Sequence, residues 1–480
     1  MNRISRNVFF VLFFLTGFGM LFANHSTPLA DPRESVYAEI AREMLQCQDY
    51  LTPRLSDTPL PGMPPLYYWF TAGIFRLFGV GEFTARFPSA VMAVLTVMAS
   101  YYSATRLWNE RVGFWTGMIL GSSLLFYFTG KASGTETTCL FFCTAALFCF
   151  LLEEYWLFYA FCGLAVLAQG FMGIIFPFSV ILFYLVLTGK PAKLLEMHVL
   201  PGILLSCVFF APWYFLQYEA HGMEVLQSAL RLDPVAGTGL LEGVAGHDWK
   251  FCLFLILAGL FPWTGLLLKS VKDGICESKT GDLRKNIFLL FWCVAPLLFC
   301  GLGAIRMTGG VLLAFPAMAM LASWNMERML REDKANFKSW AFVSLITFLV
   351  ASACWVFAGW ELPGLAFGGI VLGIMTLVMG IGITVSLLIY KDGMLAAWLH
   401  AGTGMLAMII IYVFLLPVAP SYCSVKDIAA ESISGAEGNH PTVYVEKVLR
   451  PGFMFYTQES VAELDIGKPE GSRIIEEKEN

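Results

Sequence analysis

The sequence predicts an all-α protein that crosses a membrane about thirteen times, and three observations carry that reading. Of its 480 residues, 57% are hydrophobic and only 14% charged. With a mean hydropathy of +0.67, the chain holds more apolar surface than a soluble fold can hide. The apolar residues fall in windows near the ~20 residues that a bilayer crossing requires. Basic residues gather in loops on one side, which marks that side as cytoplasmic. The net charge of −5 says less than its placement, and no nucleic-acid partner is expected.

The first apolar run, Val8 to Ala23, follows Arg3 and Arg6. The next stretch, "NHSTPLADPRES", has no small-x-small cleavage site, so an uncleaved first span with a cytoplasmic N-terminus is expected. Further spans are predicted at Phe87–Ala104, Val112–Gly130, Thr138–Leu152, Trp156–Ala168, Phe171–Leu187 and Val199–Gln217. Others follow at Phe251–Leu268, Ile287–Leu302, Gly309–Trp324, Trp340–Ala358, Leu365–Ile389 and Leu395–Pro417. Arg106 and Arg111, Lys190 and Lys193, the Lys269–Lys285 cluster, the Arg328–Lys338 cluster and Lys391 all fall on one side of that count. An odd count sends the C-terminus to the outer side of the membrane. Residues 1–418 then form the membrane domain, with 25–86 as a first outer loop, and 419–480 a small outer domain.

The twelve cysteines mostly sit inside apolar spans, where small buried packing residues are expected. Cys47 and Cys423 face outside, and their spacing neither supports nor excludes a bridge.

Polar chemistry concentrates in the outer loops. A carrier more often places such groups within its spans. In "DPRESVYAEIAREML", Val36, Tyr37, Ile40, Ala41 and Met44 share one helical face, and Glu39, Arg42, Glu43 and Gln46 the other. That pattern predicts a helix lying in the membrane interface. Asp31 and Glu34 fit a capping box at its start. "LTPRLSDTPLPGMPPLYYWF" is a proline-rich loop whose Tyr67, Tyr68 and Trp69 suit the headgroup level. Arg86, at the outer end of the second span, reads either as a snorkelling anchor or, beside paired carboxylates, as a phosphate contact.

The run from Asp31 through "DYLTPRLSDTPLPGMPPLYYWFTAGIFRLFGVGEFTARFPSAV" resembles the first outer loop of bacterial polytopic glycosyltransferases. These are the relatives of the lipid A aminoarabinose transferase and the protein O-mannosyltransferases. The likeness continues through "AQGFMGIIFP", "APWYFLQY" and "GHDWKFCLFLILAGLFPWTGLL". It implies the C-type glycosyltransferase fold and transfer of a sugar from a polyprenyl-phosphate carrier to a lipid or protein acceptor. Asp31 and Glu34 match the family's acidic motif, with Arg33 at its variable position, and Glu136 falls where relatives carry a second acid. His247 matches a histidine linked to a divalent metal. Relatives usually read Glu-Lys-Pro-Pro where this chain has Gly62, Met63, Pro64 and Pro65, and a Lys where it has Gln169.

On this reading Asp31 or Glu34 is the candidate base and Glu136 the second acid. Arg86, Lys131, Arg306 and Tyr37 contact the donor and its phosphate, and His247 is a candidate metal ligand. Each has a plainer alternative: Glu136 fits the first turn of its own helix, and Lys131 and Arg306 fit helix-end anchors. A lipid or small-molecule transporter and a catalytically inactive family member are the competing functions.

Overall fold

The computed structural model describes residues 27–56, 58–229, 249–276, 283–301, 308–331, 337–362, 364–418 and 424–434, together with residues 17, 19, 443–445, 449–458, 462–463 and 473–475. Most of them are helical. Five helices are long and apolar enough to cross a membrane: Glu82–Leu107, Val199–His221, Lys338–Glu361, Ala366–Tyr390 and Gly393–Leu415. The count rises to seven if each of two bent pairs is one span, and three more apolar helices have 10–17 residues. Length and composition therefore support five to seven crossings among the described residues. The first expected span lies largely outside them, as do His247 and Arg306.

Two expected straight spans are broken. Glu110–Gly121 turns into Leu124–Lys131 through 65°, and Trp249–Gly259 into Thr264–Ile275 through 112°. Pro262 explains the second break, because its ring and missing N–H prevent the helix from running through. The two breaks satisfy one another: Leu124 N donates to Phe261 O at 3.2 Å, and Trp263 Nε1 to Ser122 Oγ at 2.8 Å. Irregular backbone survives at this depth only where it is buried in protein and hydrogen-bonded.

Local chemistry sets the helix ends and contacts. The Asn109 and Asp392 side chains cap the helices that follow, each accepting two backbone N–H groups. Helices Lys338–Glu361 and Ala366–Val385 pack through Gly359 and Gly369, where an added Cβ would meet the facing backbone. Small residues allow such close approach without a hydrophobic driving force.

The first described helix, Arg33–Gln46, departs from the expected interfacial helix. It is buried from Glu34 to Met44 on all faces. Its polar face is covered because its charges pair: Arg42 holds Glu39 through Nε and Nη2 at 2.7 and 2.6 Å, and Glu43 Oε1 accepts from Ser56 N. Tyr67 and Tyr68, expected among the headgroups, are fully buried beneath this helix. Against its other side lies Arg450–Thr457, with Phe455 in the same apolar cluster and the Tyr456 hydroxyl accepting from Leu29 N at 2.7 Å. Strands Val443–Val445, Ala462–Glu463 and Arg473–Ile475 form a small parallel sheet with Val443–Val445 in the centre.

Candidate active site

The Arg33–Gln46 helix begins behind Pro32, and no side chain caps it. The capping box is therefore only half realised: Glu34 reaches back to the N–H of Ala30 at 2.9 Å, but Asp31 turns away. Glu34 is buried, and each carboxylate oxygen accepts two hydrogen bonds. Oε1 takes Arg86 Nε and Ser133 N; Oε2 takes Arg86 Nη2 and Ala30 N. Burial alone would raise its proton affinity, but the Arg86 charge and these donors outweigh burial and hold the carboxyl below its ordinary value. Arg86 is equally committed. Every nitrogen of its guanidinium donates, to Glu34, Thr27 or the Pro28 carbonyl.

Beside this pair opens a cavity of about 380 Å³. Its charged lining is Arg33, Glu34, Arg86, Lys131 and Glu136, and its apolar lining includes Leu125, Phe128, Met408 and Leu416. Glu136 stands first in the helix Glu136–Leu151, with its side chain buried. It faces the cavity, and Arg33 Nη2 donates to its Oε1 at 2.5 Å. Gly134 makes room for it: a Cβ there would strike Oε2 of Glu136. Lys131 ends the short helix Leu124–Lys131, its ammonium 5.3 Å from the Tyr127 ring centre and 5.4 Å from that of Tyr412. Such cation–π contacts hold a charge in apolar surroundings without neutralising it.

Four expected positions come together here and two, Asp31 and Tyr37, do not. Glu34, Glu136 and Arg86 meet at one cavity with Lys131. Asp31, expected beside them, does not line it. Its Oδ2 accepts from Val425 N at 3.0 Å, and its Oδ1, which a Cβ at Gly452 would strike, has no hydrogen-bond partner among the described residues. Burial raises the Asp31 carboxyl to about 6, against the lowering effects of Ser35 and the Val425 N–H. Tyr37 is packed instead into an aromatic cluster, its ring 6.1 Å from Tyr67 and 6.4 Å from Tyr68. The sequence reading passed over Arg33, Ser133, Tyr127 and Tyr412. Only Arg33, between two acids of the matched motif, carried a local signal.

Among the described residues no three His, Cys, Asp or Glu side chains converge as a metal site. Gly62 stands where relatives place the acid that would partner His247. It has φ +77°, and a Cβ there would meet Val225 O, so the turn leaves no space for that acid. Among the described residues that acid partner is missing, and His247 itself lies outside them. Ten of the twelve cysteines, Cys47 and Cys354 among them, are free thiols.

A family model described as dolichyl-phosphate-mannose-protein mannosyltransferase matches residues 62–215. The undecaprenyl phosphate-alpha-4-amino-4-deoxy-L-arabinose arabinosyl transferase of Aeromonas hydrophila is 29% identical over 339 residues, 67% of this chain and 60% of that protein. The protein of the same name from Pectobacterium atrosepticum is 28% identical over 403 residues, 80% of this chain and 66% of that one. The chain thus spans less than two thirds of the length of these relatives. The crystal structure of ArnT from Cupriavidus metallidurans bound to undecaprenyl phosphate has a TM-score of 0.76 at 20% identity, covering 97% of this chain and 86% of that one. Its apo state gives 0.75. The chain has the ArnT fold, and its sequence is similar to the aminoarabinose transferase and protein mannosyltransferase families.

Proposed function

We propose that this chain is a multi-pass membrane glycosyltransferase that moves a sugar from a polyprenyl-phosphate carrier to a lipid or protein acceptor at the periplasmic face of a bacterial inner membrane. The observation that carries this is the cavity. It gathers three cations and two carboxylates, a net positive charge, beside an apolar wall, as an anionic head on a lipid tail requires. The likeness to an ArnT solved with undecaprenyl phosphate supports the same reading.

In the reaction, the acceptor hydroxyl or amine attacks the anomeric carbon. The bond from that carbon to the phosphate oxygen breaks, and the electron pair leaves with the polyprenyl phosphate. The acceptor's proton must go to a base within hydrogen-bond reach. Glu136 fits that role, because it is the carboxylate that faces the cavity without being saturated by buried donors. Glu34, with four hydrogen bonds already accepted, fits a role in fixing Arg86 and the 133–136 turn. Asp31 fits a role in seating the C-terminal segment. The positive field of Arg86 and the Lys131 ammonium steady the departing phosphate.

The thirteen-span topology, with residues 419–480 as a periplasmic domain, belongs to the same proposal. Reporter fusions after Lys193 and Arg331 should read as cytoplasmic, and one near Gly438 as periplasmic. The function is tested by comparing the glycolipids and glycoproteins of cells with and without the gene by mass spectrometry. Loss of one sugar-bearing species is expected; unchanged profiles would sink the transferase and favour a transporter or an inactive protein.

A further inference from the structure

The cavity holds three cations of different availability. Arg86 is locked from every side by Glu34 and the carbonyls of Thr27 and Pro28. Lys131 lies against two tyrosine rings. Arg33 sits at the very start of its helix. Its side chain is 32% exposed, whereas that of Glu136, which it holds, is 4% exposed. The guanidinium is thus reachable from the cavity, and the carboxylate it covers is the one that must become accessible.

Charge count points the same way. Arg33, Arg86 and Lys131 face Glu34 and Glu136, leaving one formal positive charge in excess among the charged lining residues. A phosphodiester, the form of a polyprenyl-phosphate sugar, carries one negative charge. A guanidinium binds phosphate as well as carboxylate, often through two parallel N–H donors. Exchanging one anion for the other therefore costs Arg33 little.

On the polyprenyl-phosphate reading above, we propose that Arg33 is a donor-phosphate ligand that the empty site parks on Glu136 and that the arriving phosphate takes over. The exchange does two things at once. It clamps the phosphate, and it uncovers the carboxylate. A buried carboxylate that has lost its cation gains affinity for a proton, and the acceptor has one to give. Donor arrival thereby prepares the base, and Glu136 stays masked while the site is empty.

The test is equilibrium binding of undecaprenyl phosphate to the purified full-length chain in lipid nanodiscs, for wild type, Arg33→Gln, Glu136→Gln and the double variant. Exchange predicts that Arg33→Gln weakens binding by about tenfold or more, the loss of one charge-assisted contact. Glu136→Gln removes the competing anion and should tighten binding several-fold. In the double variant that tightening should vanish, because the guanidinium it would release is gone. Arg33→Gln within twofold of wild type, or Glu136→Gln weakening binding as Arg33→Gln does, would make the pair purely structural. If Arg33→Gln does not fold, the near-isosteric Glu136→Gln decides alone: tighter binding supports exchange, and equal or weaker binding overturns it. Wild type that binds no undecaprenyl phosphate would instead remove the donor reading, and the exchange with it.

Discussion

Arg86 grips Glu34 with two prongs, Nε to Oε1 at 2.9 Å and Nη2 to Oε2 at 2.7 Å, across 52 residues of sequence. The pair ties the 27–34 strand of chain to the helix Glu82–Leu107 and, through Ser133 N, to the turn that carries Glu136. Removing one member leaves a buried charge without its counterion, which costs about 3–5 kcal/mol. Arg86→Ala and Glu34→Ala should each lower the thermal midpoint of the purified protein sharply, and their effects should be far from additive. A Glu34→Gln protein with wild-type midpoint and no transfer would instead make Glu34 the base.

Glu136 should behave in the opposite way. Glu136→Gln keeps the shape of the side chain, so the midpoint should move little, while transfer falls about 10²–10⁴-fold as expected for a lost general base. Gly134→Ala offers an independent check, since its Cβ would push the Glu136 carboxylate from its place. It should lower transfer while leaving the carboxylate in the protein. Wild-type turnover in either variant would remove Glu136 from the chemistry.

Asp31 predicts a pH-dependent C-terminal contact. Burial raises its carboxyl from 3.8 to about 6, so the docked state holds the proton more tightly than the undocked one. Docking is then strongest below the ordinary carboxylate range and weakens as pH rises from about 4 to about 6. Hydrogen exchange of residues 449–458, corrected for intrinsic rates, should show protection falling over that interval. Asp31→Asn should remove the dependence. Protection that rises with pH would contradict the assignment.

Gly62 and Met63 test whether the departures from the relatives' Glu-Lys-Pro-Pro are built into the fold. Gly62 adopts φ +77°, with Val225 O and Ser228 Cβ close on its Cβ side; Met63 is buried, and its sulfur accepts from the Tyr68 hydroxyl at 3.6 Å. Restoring Gly62→Glu should destabilise the protein, since both backbone strain and overpacking oppose it. Met63→Lys should do the same by burying an unpaired charge. Thermal midpoints equal to wild type would show that this turn is free to change.

Much of the architecture was legible because membrane helices announce themselves by apolar length, and the boundaries of Glu82–Leu107 and Val199–His221 lie close to the expected spans. The breaks at Ser122–Ser123 and Phe261–Trp263 were not, because apolar runs look alike whether the helix is straight or bent. The places of Glu136 and Arg86 at the cavity were legible from their positions at span ends, and that of Glu136 also from family resemblance. Asp31 was misplaced for a physical reason: its neighbours Val425 and Gly452 lie some four hundred residues away, and no local pattern reports them. The polar face of Arg33–Gln46 misled in the same way. Alternating charge predicts water, yet Glu39 and Arg42 neutralise one another inside the protein.

The central claim is that sugar transfer from a polyprenyl phosphate runs through the cavity faced by Glu136, and complementation read by mass spectrometry tests it most directly. Cells lacking the gene are given back wild type or Glu136→Gln at equal folded level. The account predicts that wild type restores one missing glycolipid or glycoprotein species and that Glu136→Gln restores less than a hundredth of it. Full restoration by Glu136→Gln, or no missing species to restore, would contradict it.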